Sequence, residues 1–257
     1  MKLYLVRHGQ STGNVGGTLM GQSDHRLTAL GEAQAAAAAA RLAPFGPMPL
    51  HCSDLPRAVA TAGYIARAWG GGNTAAPAAA PFLPAAALLL PDARLREIDL
   101  GDYEGRSWEE FEADEALKAA FAEDPYGTVL PGGESLAHIE TRVMAAVRDI
   151  LEEHGLRDDG GLTTESVATA DASASAAGYH AVEPVDAACI VSHDGPIRAI
   201  LNHYLGVPPE KWWTLSTTHG GVSLLEFSGG WVNVRFVNAT SHLAGLAEAA
   251  PATSGAG

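Results

Sequence analysis

The chain alternates short apolar runs with longer stretches in which apolar residues recur every three or four positions. Leu3 to Val6, Leu50 to Ser53 and Ala187 to Ser192 are short, rich in β-forming residues and followed by polar residues, which predicts buried strands. Val222 to Phe227 and Trp231 to Phe236 flank a Gly-rich turn with alternating polarity. This pair predicts a β-hairpin.

Five stretches have the apolar spacing of helices. They are Thr28 to Leu42, Arg57 to Trp69, Trp108 to Phe121, Ser135 to His154 and Pro196 to Leu205. In the first, Thr28 is a suitable N-cap, and six consecutive alanines at positions 35 to 40 favour a helix that packs close to a sheet. Strands that alternate with helices predict an α/β sandwich around a mainly parallel sheet.

Two internal stretches have neither a helical nor a strand period. Gly70 to Pro91 consists mainly of Gly, Ala and Pro, and Arg157 to Asp186 is rich in Gly, Ala, Ser, Thr and Asp. Both predict surface insertions or mobile loops, as does the tail from Ala244 to Gly257. Each insertion has two interpretations, a lid over a substrate or an inert surface elaboration, and the composition favours the inert one.

The length of 257 residues, with 47% hydrophobic and 18% charged residues, predicts a globular chain built around one core. The net charge of −14 disfavours a nucleic acid or a lipid surface as partner. The two cysteines, Cys52 and Cys189, are too few for a disulfide framework. Because the apolar N-terminus is short and Leu83 to Leu90 is interrupted and bounded by prolines, we expect no membrane segment and a cytoplasmic location.

Polar residues that can bind an anion follow several of the predicted strands. Arg7-His8-Gly9 follows the first strand, Ser53 to Arg57 the second, and His193-Asp194-Gly195 a third. Ligands of α/β sheets bind at the carboxyl ends of the strands, so these segments should converge on one pocket. Two arginines and two histidines there, in an acidic chain, favour a small dianion such as a phosphate monoester.

Taken in order, these and further motifs resemble the histidine phosphatase superfamily, which includes the cofactor-dependent phosphoglycerate mutases and many small phosphatases. The matching segments are Arg7-His8-Gly9 with Asn14, Gly21 to Asp24, Leu27-Thr28 with Gly31 and Gln34-Ala35, Ser53 to Ala58 with Thr61-Ala62, Leu95 to Asp99 with Gly101, Glu104 and Gly105, Pro131 to Ser135, Ser192 to Gly195, and Asn238 to Leu243.

The resemblance implies a phosphoglycerate mutase-like fold, a three-layer α/β/α sandwich around a mainly parallel mixed sheet. It covers one domain over residues 1–243, within which the low-complexity inserts lie near 70–91 and 157–186. The composition of 244–257 predicts a flexible tail.

The resemblance also implies a catalytic role for several of the matching residues. His8 would be the nucleophile that forms a phosphohistidine, and Arg7, Arg57 and His193 would clamp the phosphoryl oxygens. Glu97 would be the general acid that protonates the leaving oxygen and then assists the attack by water.

Asn14 and Asp194, the latter through the amide that follows His193, are further candidate phosphate donors. No metal and no cofactor are expected. The spacing of the other histidines, at positions 25, 51, 138, 154, 180, 203, 219 and 242, matches no metal motif, and we interpret them as structural or exposed. Glu134 either lines the pocket or simply begins a helix.

Two features favour the phosphatase branch of the superfamily, which includes α-ribazole phosphatases and broad-specificity phosphomonoesterases. Glu97 leads into Gly101 to Gly105, with Tyr103 where many relatives have Trp, and His193 leads into Asp194 to Arg198. The expected substrate is a small phosphorylated metabolite. A true mutase and a catalytically silent phosphate-binding protein remain alternatives, and a homodimer is expected only because dimers are common.

Overall fold

The computed structural model describes residues 1–70, 89–156, 186–228 and 231–246. Its strands are β1 (Lys2–Arg7), β2 (Leu50–Cys52), β3 (Leu89–Pro91), β4 (Ala187–Ser192), β5 (Val222–Ser228) and β6 (Trp231–Ala239). Its α-helices are α1 (Thr12–Val15), α2 (Ala29–Leu42), α3 (Pro56–Trp69), α4 (Trp108–Glu112), α5 (Glu115–Glu123), α6 (Leu136–Glu153) and α7 (Asp194–Leu205).

The described strands form one sheet in the order β3-β2-β4-β1-β5-β6. Strands β3, β2, β4 and β1 run parallel, and β5 and β6 are antiparallel neighbours at one side. The predicted hairpin is therefore present at the end of the sheet. Because β5 is antiparallel to β1, the start of β5 lies beside the carboxyl end of β1, with Val222 opposite Val6.

Helices cover both faces of the sheet. Side chains of β1 alternate between two apolar cores, since Leu3 and Leu5 pack in one and Tyr4 and Val6 in the other. The first core contains α6 and α7, and the second contains α2 and α3. A strand that is buried on both faces reads as a continuous apolar run, which explains the composition of β1. The predicted three-layer sandwich is confirmed.

Four of the five predicted helices are present as α2, α3, α6 and α7, and two of these begin at a side-chain cap. The Thr28 hydroxyl accepts from the amide of Gly31 at 3.0 Å, and the Ser135 hydroxyl accepts from His138, so α2 and α6 begin beside the predicted residues. The single helix predicted over Trp108 to Phe121 is wrong. The Asp114 carboxylate accepts from the amide of Leu117 at 2.9 Å, and this cap starts α5 as a separate helix.

One end of the first predicted insertion also differs from the prediction. Residues Leu89–Pro91 form the edge strand β3, which pairs with β2, although no strand period marks them. Three residues at a sheet edge are too few to show alternation, and the proline is tolerated there. Positions 71–88, 157–185 and 247–257, which hold the rest of the two insertions and most of the tail, lie outside the described residues.

A small third cluster lies apart from the two main cores. Leu19, Leu100, Tyr103, Leu117 and Leu130 pack together, and the aromatic side chains of α4 and α5 pack against them. This cluster packs α4 and α5 against the loops that follow α1 and β3. None of the helices in the described ranges combines the length and the apolar character needed to span a bilayer.

Candidate active site

The polar residues that follow β1, β2 and β4 meet at one edge of the sheet. Arg7 lies opposite Ser192, and Cys52 lies opposite Val191, so the parallel strands end level with one another. His8, Ser53 and His193 come next along their strands. Parallel register therefore brings together segments that are far apart in sequence.

His8 is buried, with 2% of its surface exposed, and its tautomer follows from its contacts. Its Nδ1 lies 2.7 Å from the carbonyl oxygen of Gly9, which can only accept a hydrogen bond. Nδ1 therefore carries the proton, and Nε2 holds a free lone pair. Burial, followed by His193 and Arg57, holds the pKa of His8 well below its usual range, so the ring is neutral at neutral pH.

Arg57 and His193 form a buried pair beside His8. The Arg57 guanidinium is fully buried, and its Nε donates to His193 Nδ1 at 3.3 Å. His193 Nδ1 is therefore an acceptor, and its Nε2 donates to the Ser53 hydroxyl at 2.8 Å. Burial and Arg57 hold the pKa of His193 well below its usual range. The His193 and His8 ring centroids are 4.9 Å apart.

The remaining Arg57 donors are anchored to backbone. Nη1 donates to the carbonyl of Ser23 at 2.9 Å, and Nη2 donates to the carbonyl of Gly21 at 2.6 Å. Because Arg57 lies in the first turn of α3, these bonds tie that helix to the loop that follows α1. The two carbonyls balance only part of the guanidinium charge, and Glu97 and Glu104 also act on it, so Arg57 can add to the attraction of an anion.

Arg7 and Asp194 form a second charged group. Arg7 donates to the carbonyl of Thr217 and lies 3.6 Å from Asp194 Oδ1. The Asp194 carboxylate accepts from the Thr217 hydroxyl and from Arg198 Nε, both at 2.6 Å. Since this carboxylate is engaged and negative, the geometry limits the predicted phosphate contact of Asp194 to its backbone amide, in the first turn of α7.

Glu97 faces the same space from the loop after β3. Its Oε1 accepts from the amide of Ile98 at 2.9 Å, and its Oε2 accepts from the amide of Gly195 at 3.3 Å. Arg142 on α6 holds the Glu97 carbonyl at 2.9 Å and so fixes the backbone. Burial, followed by the charge of Asp194, raises the pKa of Glu97. A raised pKa increases the protonated fraction near neutral pH.

Asn14 lies at the rim of the group, in the short helix α1. Its Oδ1 accepts from the amide and the hydroxyl of Ser11, both at 2.8 Å. The amide NH₂ of Asn14 is therefore the end that can donate to a ligand. Arg7, Asn14, Glu97 and Asp194 all line one cavity.

His219 belongs to the group, although the motif analysis interpreted it as structural or exposed. Its ring centroid is 5.5 Å from that of His8, and its Nε2 is buried with no hydrogen-bond partner in the described part of the chain. Burial and then Arg7 lower its pKa to about 3. The signal that could have found it is topological: His219 precedes β5, and the start of β5 lies beside the carboxyl end of its antiparallel neighbour β1.

The cavity beside this group has a volume of about 820 Å³. Glu134 lines it, but its carboxylate accepts from Arg142 Nε and Nη2, both at 2.8 Å, and it also bonds the amide of Asp99. Glu134 is therefore a paired structural acid that also borders the pocket. Among the described residues, no three His, Cys, Asp or Glu side chains lie together as a metal site.

Comparison with known proteins identifies a family for this chain. A profile described as histidine phosphatase superfamily (branch 1) matches residues 3–162 and 158–240. The chain is 30% identical over 232 residues to a glucosyl-3-phosphoglycerate phosphatase of Mycobacterium tuberculosis, covering 90% of this chain and 86% of that protein. It is 35% identical over 153 residues to probable phosphoglycerate mutase GpmB of Salmonella paratyphi C, covering 59% of this chain but only 64% of that protein.

Solved structures share the fold over nearly the whole chain. A native mycobacterial glucosyl-3-phosphoglycerate phosphatase superposes with a TM-score of 0.67 at 28% identity, covering 93% of this chain and 98% of that one. An α-ribazole phosphatase from Shigella flexneri superposes with a TM-score of 0.67 at 22% identity, covering 93% and 96% of the two chains. The second likeness is evidence of the fold alone.

Proposed function

The chain belongs to the histidine phosphatase superfamily (branch 1), and from this membership and the geometry of the pocket we propose that it is a metal-independent phosphomonoesterase with His8 as nucleophile. The observation that carries the proposal is the state of His8. A neutral ring with its proton on Nδ1 offers a lone pair on Nε2, close to the charges of Arg57 and Arg7. A neutral imidazole next to cationic groups is suited to attack a bound dianion.

The proposed reaction has two transfers of the phosphoryl group. In the first, His8 Nε2 forms a bond to phosphorus, the ester P–O bond breaks, and Glu97 gives its proton to the leaving oxygen. In the second, Glu97 takes a proton from water as the water oxygen attacks phosphorus and the N–P bond breaks. Glu97 is then protonated again, His8 is free, and inorganic phosphate leaves.

Arg7, Arg57 and His193 are proposed to stabilise the charge on the transferring phosphoryl oxygens. Arg57 and His193 are preorganised by their mutual hydrogen bond and by Ser53, so little rearrangement is needed when charge develops. The amide NH₂ of Asn14 and the backbone amide of Asp194 are proposed as additional donors.

The physiological substrate is a finer question. α-Ribazole phosphate is our first candidate, on the motifs that follow Glu97 and His193, and glucosyl-3-phosphoglycerate is the candidate that the mycobacterial relative suggests. The buried free thiols of Cys52 and Cys189 suit the reducing cytoplasm that we propose as its location. A homodimer remains a prediction.

A phosphoglycerate mutase activity is the second candidate, because a relative with that name is 35% identical over part of the chain. A mutase returns the phosphoryl group to another hydroxyl of the substrate, whereas a phosphatase delivers it to water. Free phosphate measured against isomerised phosphoglycerate separates the two activities. A silent binding protein is disfavoured because the residues expected to act in catalysis are all present in the chain, namely Arg7, His8, Arg57, Glu97 and His193.

The first test is phosphate release from 4-nitrophenyl phosphate in the presence of EDTA. The His8→Ala variant should lose on the order of 10³-fold or more of the rate and should form no acid-labile phosphoenzyme. His203→Ala is the matched control, since His203 is exposed on α7 and pairs with Glu140 at 3.5 Å. Undiminished activity of the His8→Ala variant would overturn the mechanism.

A further inference from the structure

The cavity next to the phosphate pocket has the candidate phosphate-binding residues at one end. Arg7, Asn14, Glu97 and Asp194 border it where the phosphoryl group is proposed to bind. A volume of about 820 Å³ is much larger than a phosphate group requires and lies in the range of pockets that enclose drug-sized ligands. The rest of the cavity is therefore available to the alcohol that leaves during the reaction.

Apolar side chains from several elements form most of the remaining wall. The loop after α1 and the loop after β3 contribute aliphatic groups, and the aromatic side chains come from the α4–α5 region and from the turn at Trp212. These residues are Leu19, Met20, Ile98, Leu100, Trp108, Phe111, Phe121, Leu130, Leu136, Ile139, Trp212 and Trp213.

Several polar side chains in this wall already have protein partners. The Thr128 hydroxyl donates to the carbonyls of Ala120 and Asp124, at 3.0 and 2.6 Å. The Ser135 hydroxyl is the cap of α6, and Glu134 is paired with Arg142. Lys118, which also borders the cavity, pairs with Glu115 at 3.1 Å. Because these groups are engaged, the hydroxyls of a sugar would gain fewer hydrogen bonds here than they make with water, which is unfavourable.

Two tryptophans at this cavity are unusually exposed. Trp213 is 66% exposed and Trp108 is 57% exposed, yet both line the cavity. Trp213 is also held in place, since the Arg198 guanidinium lies 5.2 Å from its ring centroid and Arg198 bonds Asp194. A large apolar side chain that is exposed beside a cavity gains most from an apolar ligand.

We propose that the leaving alcohol of the substrate carries an aromatic ring that binds in this apolar cavity. The inference rests on the proposed phosphatase function and names its substrate class. Of the two substrates considered above, α-ribazole phosphate carries an aromatic base on its leaving alcohol, whereas glucosyl-3-phosphoglycerate carries hydroxyls. The cavity therefore favours the aromatic ester.

The test compares two monoesters of primary alcohols, 2-phenylethyl phosphate and glucose 6-phosphate. Their dissociation constants are measured by calorimetry on the His8→Ala variant, which binds without turnover. Burial of one phenyl ring should make the aromatic ester bind about 10- to 100-fold more tightly. Equal affinities, or tighter binding of glucose 6-phosphate, would overturn the inference.

Variants of two exposed tryptophans test whether the aromatic ring of the ester binds at this wall. In the His8→Ala background, Trp213→Ala should weaken 2-phenylethyl phosphate by at least about 5-fold and leave glucose 6-phosphate nearly unchanged. Trp231→Ala is the matched control, because Trp231 is 75% exposed on β6 and is not part of the cavity wall. An equal loss in both variants, or a loss for both esters, would contradict binding of the ring at this wall.

This design separates the two proposals. The phosphatase function fails if wild-type protein releases no phosphate from either ester or from 4-nitrophenyl phosphate. The substrate class is tested by ligand binding to the inactive His8→Ala variant, so that test does not depend on whether the wild type is a phosphatase.

Discussion

Replacing Gly195 by alanine should displace Glu97 without removing it. A Cβ built at Gly195 lies 2.4 Å from Glu97 Oε1, while the next nearest atoms, Glu97 Cδ and Ile139 Cδ1, are at an ordinary 3.5 Å. An ordinary contact begins near 3.4 Å, so the carboxyl oxygen must move by about 1.0 Å, the difference between 3.4 and 2.4 Å. Because that oxygen ends a flexible side chain, the helix tolerates the change and Glu97 moves.

A displacement of this size has a large effect on catalysis. A misplacement of about 1 Å can cost about 100-fold in rate, which corresponds to about 2.7 kcal/mol in the barrier. The loss should fall on kcat for 2-phenylethyl phosphate, whose poor leaving group needs a proton. For 4-nitrophenyl phosphate, whose leaving group needs little protonation, kcat should fall by only a few-fold.

Stability should not decline in the same variant. Alanine is more favourable than glycine in a helix by up to about 1 kcal/mol, so the urea midpoint should stay constant or rise. Gly63→Ala in α3 is the matched control, since its Cβ meets only Arg67 Nη1, at 3.6 Å. The measurement is kcat of wild type and both variants on 2-phenylethyl phosphate and 4-nitrophenyl phosphate. An unchanged kcat for the alkyl ester, or equal losses for both esters, would refute the placement of Glu97 as the acid.

Three further predictions concern protons and metals. Glu97→Gln should lower kcat for alkyl phosphates by about 10² to 10⁴-fold. In the wild type the rate should decline as the pH rises through the raised pKa of Glu97, and the variant should lack this decline. If the pH–rate profile of the variant still declines, another group is the acid. His8 and His193 have folded-state pKa values well below their usual range, so below pH 6.5 the unfolded chain binds protons that the folded chain does not. The free energy of unfolding should therefore fall on acidification below pH 6.5, by about 1.4 kcal/mol per pH unit for each buried ring. Urea unfolding between pH 7 and 5 should show this slope, and His8→Ala should reduce it by the contribution of one ring, about 1.4 kcal/mol per pH unit. An unchanged slope in the variant would contradict the lowered pKa of His8. EDTA should leave phosphate release unchanged, and a strong loss that added metal restores would indicate a metallophosphatase.

Most helices and strands could be predicted from the sequence because the signals for them lie within a few neighbouring residues. Apolar period, caps such as Thr28 and Ser135, and short β-rich runs are properties of neighbouring residues. The same reasoning failed where a single local residue overrides a period, as Asp114 does between α4 and α5. It also failed for Leu89–Pro91, a strand that pairing with β2 defines.

The sequence by itself determined the strand ends, the order of the motifs and therefore the family, since each motif is a short run of neighbouring residues. Only the tertiary structure decided which atoms of those residues are free to act. The Asp194 carboxylate is engaged by Arg198 and Thr217, residues that are 4 and 23 positions away. His219 reaches His8 because β5 runs antiparallel to β1, and the apolar cavity forms where separate loops and helices meet. The shifted pKa values of His8 and His193 and the walls of the cavity depend on residues remote in sequence, and the distances between those residues exist only after the chain has folded.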